Sequence, residues 1–303
     1  MKIVSVDDVY LHPNHIEELE TLGEVVIYHD TPNEEVGINR IKDADVVIDN
    51  WFKMPKAVIR GAKKLKMITV AATGYEWIDL SETLKHNIVI CNAPGYATEA
   101  VAEHTIGLML QAIRQGSQAE RDLRIGIWTP IKYEGEELQN KTLGIIGYGA
   151  IGRRVAAIAQ KGFGMHILYT TSASTRNDFE HLLRESDIIS INVPLTSVTK
   201  GIISAKEFRL MKQGVVIVNT GRGAVIDEEE LINNLKSKKI FAGGLDVLTK
   251  EPLDQNNKLL NFPNVTLTPH IAWNTEESKY RLSQIVMENI KCFLVGTPQN
   301  VVS

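Results

Sequence analysis

Three segments of the chain put reactive side chains just past short apolar runs. Asn219-Thr220-Gly221-Arg222-Gly223 follows Val215–Asn219, so Arg222 falls at the carboxyl end of a strand. Gly244-Leu245-Asp246-Val247 ends a second run with an acid, and Glu251-Pro252-Leu253 comes next in the adjoining loop. Thr268-Pro269-His270-Ile271-Ala272 closes the last run with a histidine. Ligands of open α/β sheets bind at the carboxyl edge of the strands. An arginine, an acid and a histidine far apart in sequence can therefore converge there. Singly each is ordinary, since most Arg and Glu are surface charges and a lone His is more often structural. Joined to a dinucleotide site, they make a catalytic constellation.

That dinucleotide site is Leu143 to Lys161, LGIIGYGAIGRRVAAIAQK. An apolar run, Leu143–Ile146, has the length of a buried parallel strand. It enters Gly147-Tyr148-Gly149-Ala150-Ile151-Gly152, a G-x-G-x-x-G, and helix-period apolar residues follow at Ile151, Val155, Ala156, Ile158 and Ala159. Strand, glycine turn and helix in that order suit a pyrophosphate. Gly147 permits the tight turn, Gly149 lets the backbone approach the phosphates, and Gly152 lets helix and strand pack closely. The helix N-terminus offers its N–H groups to the anion.

The elements that must position these residues alternate regularly. Ile3–Val6, Val25–Tyr28, Val46–Ile48, Met67–Val70 and Ile88–Ile90 read as short strands, with helical patterns at Pro13–Leu22, Glu34–Ile41, Pro55–Ala62 and Ile78–Lys85. Such a βαβα rhythm implies a parallel sheet covered on both faces. Ala97 to Gln115 predicts a longer helix leaving one domain for the next. Gly116 to Asn140 is polar and weakly patterned, which predicts a crossing connection with room for an exposed dimer arm. A second series starts at Thr142, with strands at Ile167–Tyr169, Ile188–Asn192, Val215–Asn219, Ala242–Val247 and Val265–Thr268. Its helices fit Asp178–Arg184, Ala205–Met211 and Asp227–Lys236, and a final helix, Glu276–Val295, follows. With 303 residues the chain suggests two domains. A net charge of -4 gives no basic field for nucleic acid. No apolar run approaches the roughly 20 residues of a membrane span, and Cys91 and Cys292 belong to no C-x-x-C. A cytoplasmic protein with reduced thiols and no metal site is expected.

Taken together, the motifs resemble the D-isomer-specific 2-hydroxyacid dehydrogenases, the group that contains glycerate dehydrogenase and hydroxypyruvate or glyoxylate reductase. The resemblance rests on Asn92-Ala93-Pro94-Gly95-Tyr96, Ala102-Glu103-His104, the glycine turn, Val193-Pro194-Leu195-Thr196, Asn219 to Gly223, Asp246, Glu251-Pro252-Leu253 and Thr268 to Trp273, and covers nearly the whole chain. It implies an α/β architecture of two Rossmann-like domains. A flavodoxin-like substrate domain would span 1–97 plus 274–303, with a doubly wound dinucleotide-binding domain, 98–273, inserted between. It also implies roles. His270 would protonate a carbonyl oxygen as hydride reaches the carbon, since reduction needs a proton at one atom and a hydride at the next. Glu251 would hydrogen-bond His270 and orient its ring. Arg222 would bind a 2-oxoacid through its planar donor fork, helped by the backbone N–H groups around Thr73 and Gly74. Asp246 would take the nicotinamide carboxamide. Gly147, Gly149, Ala150, Ile151, Gly152, Thr170, Thr171, Val193, Pro194, Thr220, Gly221, His270 and Ala272 complete the expected cofactor contacts. His104 and Glu103 read as a buried helical pair supporting the hinge rather than as reactive groups.

Two departures from the family's pattern stand out. An NAD site of this type places Asp or Glu at the end of the second strand to accept from the ribose hydroxyls. Here His166-Ile167-Leu168-Tyr169 runs into Thr170-Thr171-Ser172-Ala173-Ser174-Thr175-Arg176, with Thr170 at the acid's place. Loss of the carboxylate favours NADP over NAD, with the hydroxyls and Arg176 as partners for a 2′-phosphate. The second is Asn50-Trp51-Phe52-Lys53, where two aromatics either narrow the substrate pocket or anchor the loop. The expected function is hydride transfer from NAD(P)H to a small 2-oxoacid, glyoxylate or hydroxypyruvate, by a homodimer whose domains hinge. A dinucleotide-sensing corepressor-like module and a phosphoglycerate- or phosphite-type dehydrogenase are the alternatives. Glu251, where a formate dehydrogenase would carry Gln, disfavours that class.

Overall fold

The computed structural model describes residues 1–302 and separates into two compact units, Met1–Ala97 with Asn274–Ser303, and Thr98–Trp273. The first unit alternates β1 (Lys2–Ser5), α1 (Pro13–Glu20), β2 (Glu24–Ile27), α2 (Glu34–Ile41), β3 (Val46–Asp49), α3 (Lys56–Gly61), β4 (Met67–Val70), α4 (Leu80–Lys85) and β5 (Val89–Cys91). Its five strands pair in parallel in the order β2-β1-β3-β4-β5. β3 and β4 are buried along their whole length, so their apolar residues run on without polar alternation.

The second unit opens with α5 (Thr98–Ile113) and α6 (Gly116–Arg124), followed by β6 (Thr142–Ile146), α7 (Ala150–Phe163), β7 (His166–Thr170), α8 (Arg176–Glu185), β8 (Ile188–Ile191) and α9 (Ala205–Leu210). β9 (Val215–Asn219), α10 (Glu228–Lys236), β10 (Ile240–Leu245) and β11 (Val265–Leu267) complete it. The sheet is parallel, ordered β11-β10-β9-β8-β6-β7. The order reverses between β6 and β8, the switch point at which such sheets bind ligands. One face is covered by a core that includes Leu182, Phe208, Ile217 and Leu231, the other by one that includes Met109, Leu143, Val155 and Val218.

α11 (Glu276–Leu294) returns to the first unit. There Ser283 Oγ accepts the His12 N–H at 2.8 Å, and Asn289 Nδ2 donates to the Asn92 carbonyl at 2.9 Å. The polar stretch after α5 contains a helix, α6, where the sequence pattern predicts only a connection. α6 buries none of its residues, so it shows no apolar stripe. Gln115, at φ 52°, ends one helix and lets the next start. No helix among the described residues is long and apolar enough to cross a membrane.

Candidate active site

The glycine turn sits at the switch point of the second unit. Gly147 has φ 96°, and a Cβ there would lie 2.8 Å from the Asn192 carbonyl oxygen. At Gly152 a Cβ would meet the Gly147 carbonyl oxygen at 2.2 Å, so only glycine lets α7 start this close to β6. Gly149, by contrast, faces open space and is the N-cap of α7, with no side chain capping the helix. Helical amides at Ala150, Ile151 and Gly152 have no intrahelical acceptor and stand open to an anion. Val193, with Pro194 after it, follows β8 and lies beside Gly147 and Gly221. The chemistry of this turn fits a dinucleotide.

The end of β7 differs from the sequence expectation in a useful way. Thr170 is buried, and its carbonyl accepts the N–H groups of Gly147 at 3.1 Å and Tyr148 at 3.0 Å. Strand alternation turns its side chain inward, so the exposed Thr171 is the first side chain that can meet a ribose. Arg176 is the other correction. Its guanidinium is held by Glu180 at 2.9 Å and Glu207 at 2.9 Å, which raises its pKa through those hydrogen bonds. As the first residue of α8, Arg176 has Glu180 one turn along the same helix face. Two carboxylates thus engage the group that the sequence suggested as a partner for a 2′-phosphate.

Arg222, Glu251 and His270 are assembled by contacts between strand-end loops. Asn219, buried at the end of β9, donates through Nδ2 to the Arg222 carbonyl at 2.9 Å and accepts the Gly221 N–H at 3.0 Å. A Cβ on Gly223 would fall 1.9 Å from the Leu248 carbonyl carbon, so the arginine loop lies directly on the 248–249 backbone. Glu251 Oε1 accepts the Leu248 N–H at 2.8 Å, and Oε2 meets His270 Nδ1 at 2.7 Å. Burial raises the Glu251 pKa, but hydrogen bonds from His270 and Leu248 and the nearby Arg222 charge outweigh it, leaving the carboxyl below its usual range. His270 itself has φ 56°, a left-handed conformation uncommon outside glycine. It is maintained by its N–H, which points to the Asp246 carbonyl at 2.8 Å and the Thr268 carbonyl at 3.0 Å.

Asp246 is an anchor here. Its buried carboxylate accepts from Thr268 Oγ1 at 2.6 Å, Ile271 N at 2.9 Å and Ala272 N at 2.9 Å. Burial pushes its pKa up, yet hydrogen bonds from His104, Thr268, Ala272 and Ile271 hold it below the usual carboxylate value. This anchoring was not legible in the sequence, which suggested a carboxamide contact. Thr220 also turns inward. Thr105 Oγ1 donates to the Val101 carbonyl at 2.7 Å, so the Thr220 hydroxyl donates to Thr105 at 2.8 Å. Glu103 is exposed, so it forms no buried pair with His104.

In the first unit, Thr73 and Gly74 lie in the loop after β4. The Thr73 hydroxyl donates to the Ala93 carbonyl at 3.1 Å and Asn92 Nδ2 donates to the Thr73 carbonyl at 2.8 Å, which fixes the loop. Among the described residues, the Thr73 and Gly74 N–H groups have no protein acceptor. Sequence reasoning missed two buried acids nearby in that sheet's edge. Asp7 accepts from Asn50, Trp51 and Phe52 N–H groups at 3.0, 2.6 and 2.9 Å, and Asp49 accepts from Trp77 Nε1 at 2.6 Å. Burial raises both pKa values, and the Asp7 charge pushes Asp49 further up. The two aromatics of this loop divide. Phe52 is a core residue against Gly37, whereas Trp51 stays partly exposed and stacks on Trp77 at 6.0 Å.

Residues 106–272 match the D-isomer specific 2-hydroxyacid dehydrogenase NAD binding domain. A hydroxypyruvate reductase of Blautia hydrogenotrophica is 36% identical over the full length of both chains. The chain belongs to the D-isomer specific 2-hydroxyacid dehydrogenase family. A glyoxylate reductase of Thermococcus litoralis is 36% identical over 96% of this chain and 93% of its own. Among solved structures, an acyclic imino acid reductase in complex with NADPH and D-Arg superposes with a TM-score of 0.92 at 33% identity, each chain being fully covered. The family's glycine turn and the Arg222, Glu251 and His270 loops fall inside the matched segment, whereas Thr73 and Gly74 precede it.

Asp246 carries a testable consequence. Its folded pKa is depressed, so its contribution to stability is complete above the unfolded value near 4 and is lost as pH falls through the folded value. Asp246→Asn puts an N–H donor against a donor and should destabilise the protein by about 1–3 kcal/mol. Urea unfolding should show the full gap between the two proteins at pH 7, narrowing below pH ~4.

Proposed function

We propose that the protein reduces a small 2-oxoacid with NAD(P)H, glyoxylate or hydroxypyruvate being the leading substrates, to the D-2-hydroxyacid and in reverse. The observation that carries this is the His270–Glu251 pair at 2.7 Å beside the Arg222 loop, in the same unit as the glycine turn. When bound, the reduced nicotinamide supplies a hydride. His270 gives a proton to the carbonyl oxygen, and Glu251 holds the ring through Nδ1. Arg222 pairs with the carboxylate and carbonyl of the oxoacid. Ala150, Ile151 and Gly152 amides hold the pyrophosphate, and Val193, Pro194, Thr220, Gly221 and Ala272 line the cofactor. The relatives named hydroxypyruvate and glyoxylate reductase support the substrate class. Free Cys91, whose pKa burial pushes up to about 11, suits a structural thiol in a reducing compartment such as the cytoplasm.

NADP is the favoured cofactor because no carboxylate closes β7: Thr170 faces inward, and Thr171 and Ser172 are exposed hydroxyls. A homodimer is favoured by an apolar arm beyond α6. Ile125 is 74% exposed, Trp128 79% and Ile131 90%, a concentration of large apolar surface that a second copy would cover.

Three outcomes are expected. His270→Ala should lower kcat by about 10²–10⁴-fold with little change in dinucleotide Kd; turnover near the parent's would assign the proton to another group. Thr171→Asp should raise KM for NADPH much more than for NADH, because like charges placed together are strongly unfavourable; an unchanged cofactor ratio would overturn the NADP reading. Light scattering should give twice the 33.8 kDa chain mass, and Trp128→Glu with Ile131→Glu should shift it toward the monomer.

A further inference from the structure

We infer that His104 is a positioning residue for His270, acting from α5 through Thr268 and the buried Asp246. The inference rests on the reading of His270 as the proton donor. His104 Nε2 lies 3.0 Å from Thr268 Oγ1 and 3.4 Å from Asp246 Oδ1. The single hydroxyl proton of Thr268 is given to Asp246 Oδ1 at 2.6 Å. Thr268 Oγ1 is therefore an acceptor toward His104, and Nε2 must carry a proton. Among the described residues, His104 is the donor to this knot that comes from outside the 268–272 turn.

The knot brackets the catalytic histidine. Thr268 lies two residues before His270, and Ile271 and Ala272 lie one and two after it; all three donate to the same carboxylate. Between them His270 is kept at φ 56°, a conformation that persists only when its surroundings fix it. That backbone sets the direction from which the ring reaches Glu251. The helix providing His104 is itself fixed, since a Cβ on Gly244 of β10 would be 2.9 Å from Leu108 Cβ, one turn along α5. Removing the His104 donor leaves Thr268 Oγ1 with an unmet acceptor and Asp246 with one less compensating N–H. The turn then relaxes and His270 loses its aim, while the glycine turn that holds dinucleotide is untouched.

The test compares His104→Phe, which keeps a ring but no donor, with His104→Gln, whose amide Nε2–H can replace the imidazole donor. His104→Phe should lower kcat by about 10–100-fold, the scale of a small misplacement of a reacting group, with a much smaller change in dinucleotide Kd. His104→Gln should recover most of that loss at a similar melting temperature. Parent-like kcat in His104→Phe, or equal losses in Phe and Gln variants that both fold, would overturn the inference. Should His104→Phe not fold, His104→Leu against His104→Gln asks the same question. Leu should reproduce the kcat loss and Gln should lose less; equal kcat in the two would overturn it. His270→Ala is run alongside. Retained turnover there rejects the role of His270, whereas an inactive His270→Ala with a fully active His104→Phe rejects only the positioning role of His104.

Discussion

The buried carboxylate of Asp246 is the interaction on which the reactive geometry depends. A charge taken out of water is costly unless donors surround it, and here Thr268, Ile271, Ala272 and His104 do so. The requirement runs both ways. Donors stabilise the anion, and the anion dictates the path of the backbone that carries them. A turn of five residues after β11 is thereby wound round one side chain from β10's end, and His270 is left in a conformation it would not choose alone. The result is a histidine whose direction is set by the backbone rather than by a flexible side chain.

Close packing of main chain supplies the rest of the arrangement. Gly223 lets the arginine loop lie on the 248–249 backbone, and Gly152 lets α7 begin against β6. Wherever those contacts occur, no Cβ could fit, so the loops after β9 and β10 meet and α7 starts against its own strand without long side chains. The exposed donors that remain belong to the uncapped start of α7. The same unit thus separates a rigid turn wound round Asp246 from the uncapped, open start of α7.

Much of this was legible in the residues. Met67–Val70, Val215–Asn219 and Glu34–Ile41 are strands and helix with the bounds that their patterns predict. Short β-branched runs and 3.6-residue periodicity act locally, so they survive without knowledge of the partner. α6 was not legible because it buries nothing and so leaves no stripe. Nor was the division of Trp51 from Phe52: adjacent aromatics look alike in sequence, and only the space beside Gly37 decides which enters the core.

The sequence by itself determined the alternating parallel architecture, the glycine turn and the presence of Arg222, Glu251 and His270 after strands. Those follow from local steric rules and from the rule that open sheets use their carboxyl edge. Tertiary structure alone decided what the polar side chains do once there. Asp246 anchors a turn, Thr170 faces inward, and Arg176 is held by Glu180 and Glu207. Hydrogen bonds join groups distant in the chain, and a donor's partner depends on distances that composition and spacing do not encode.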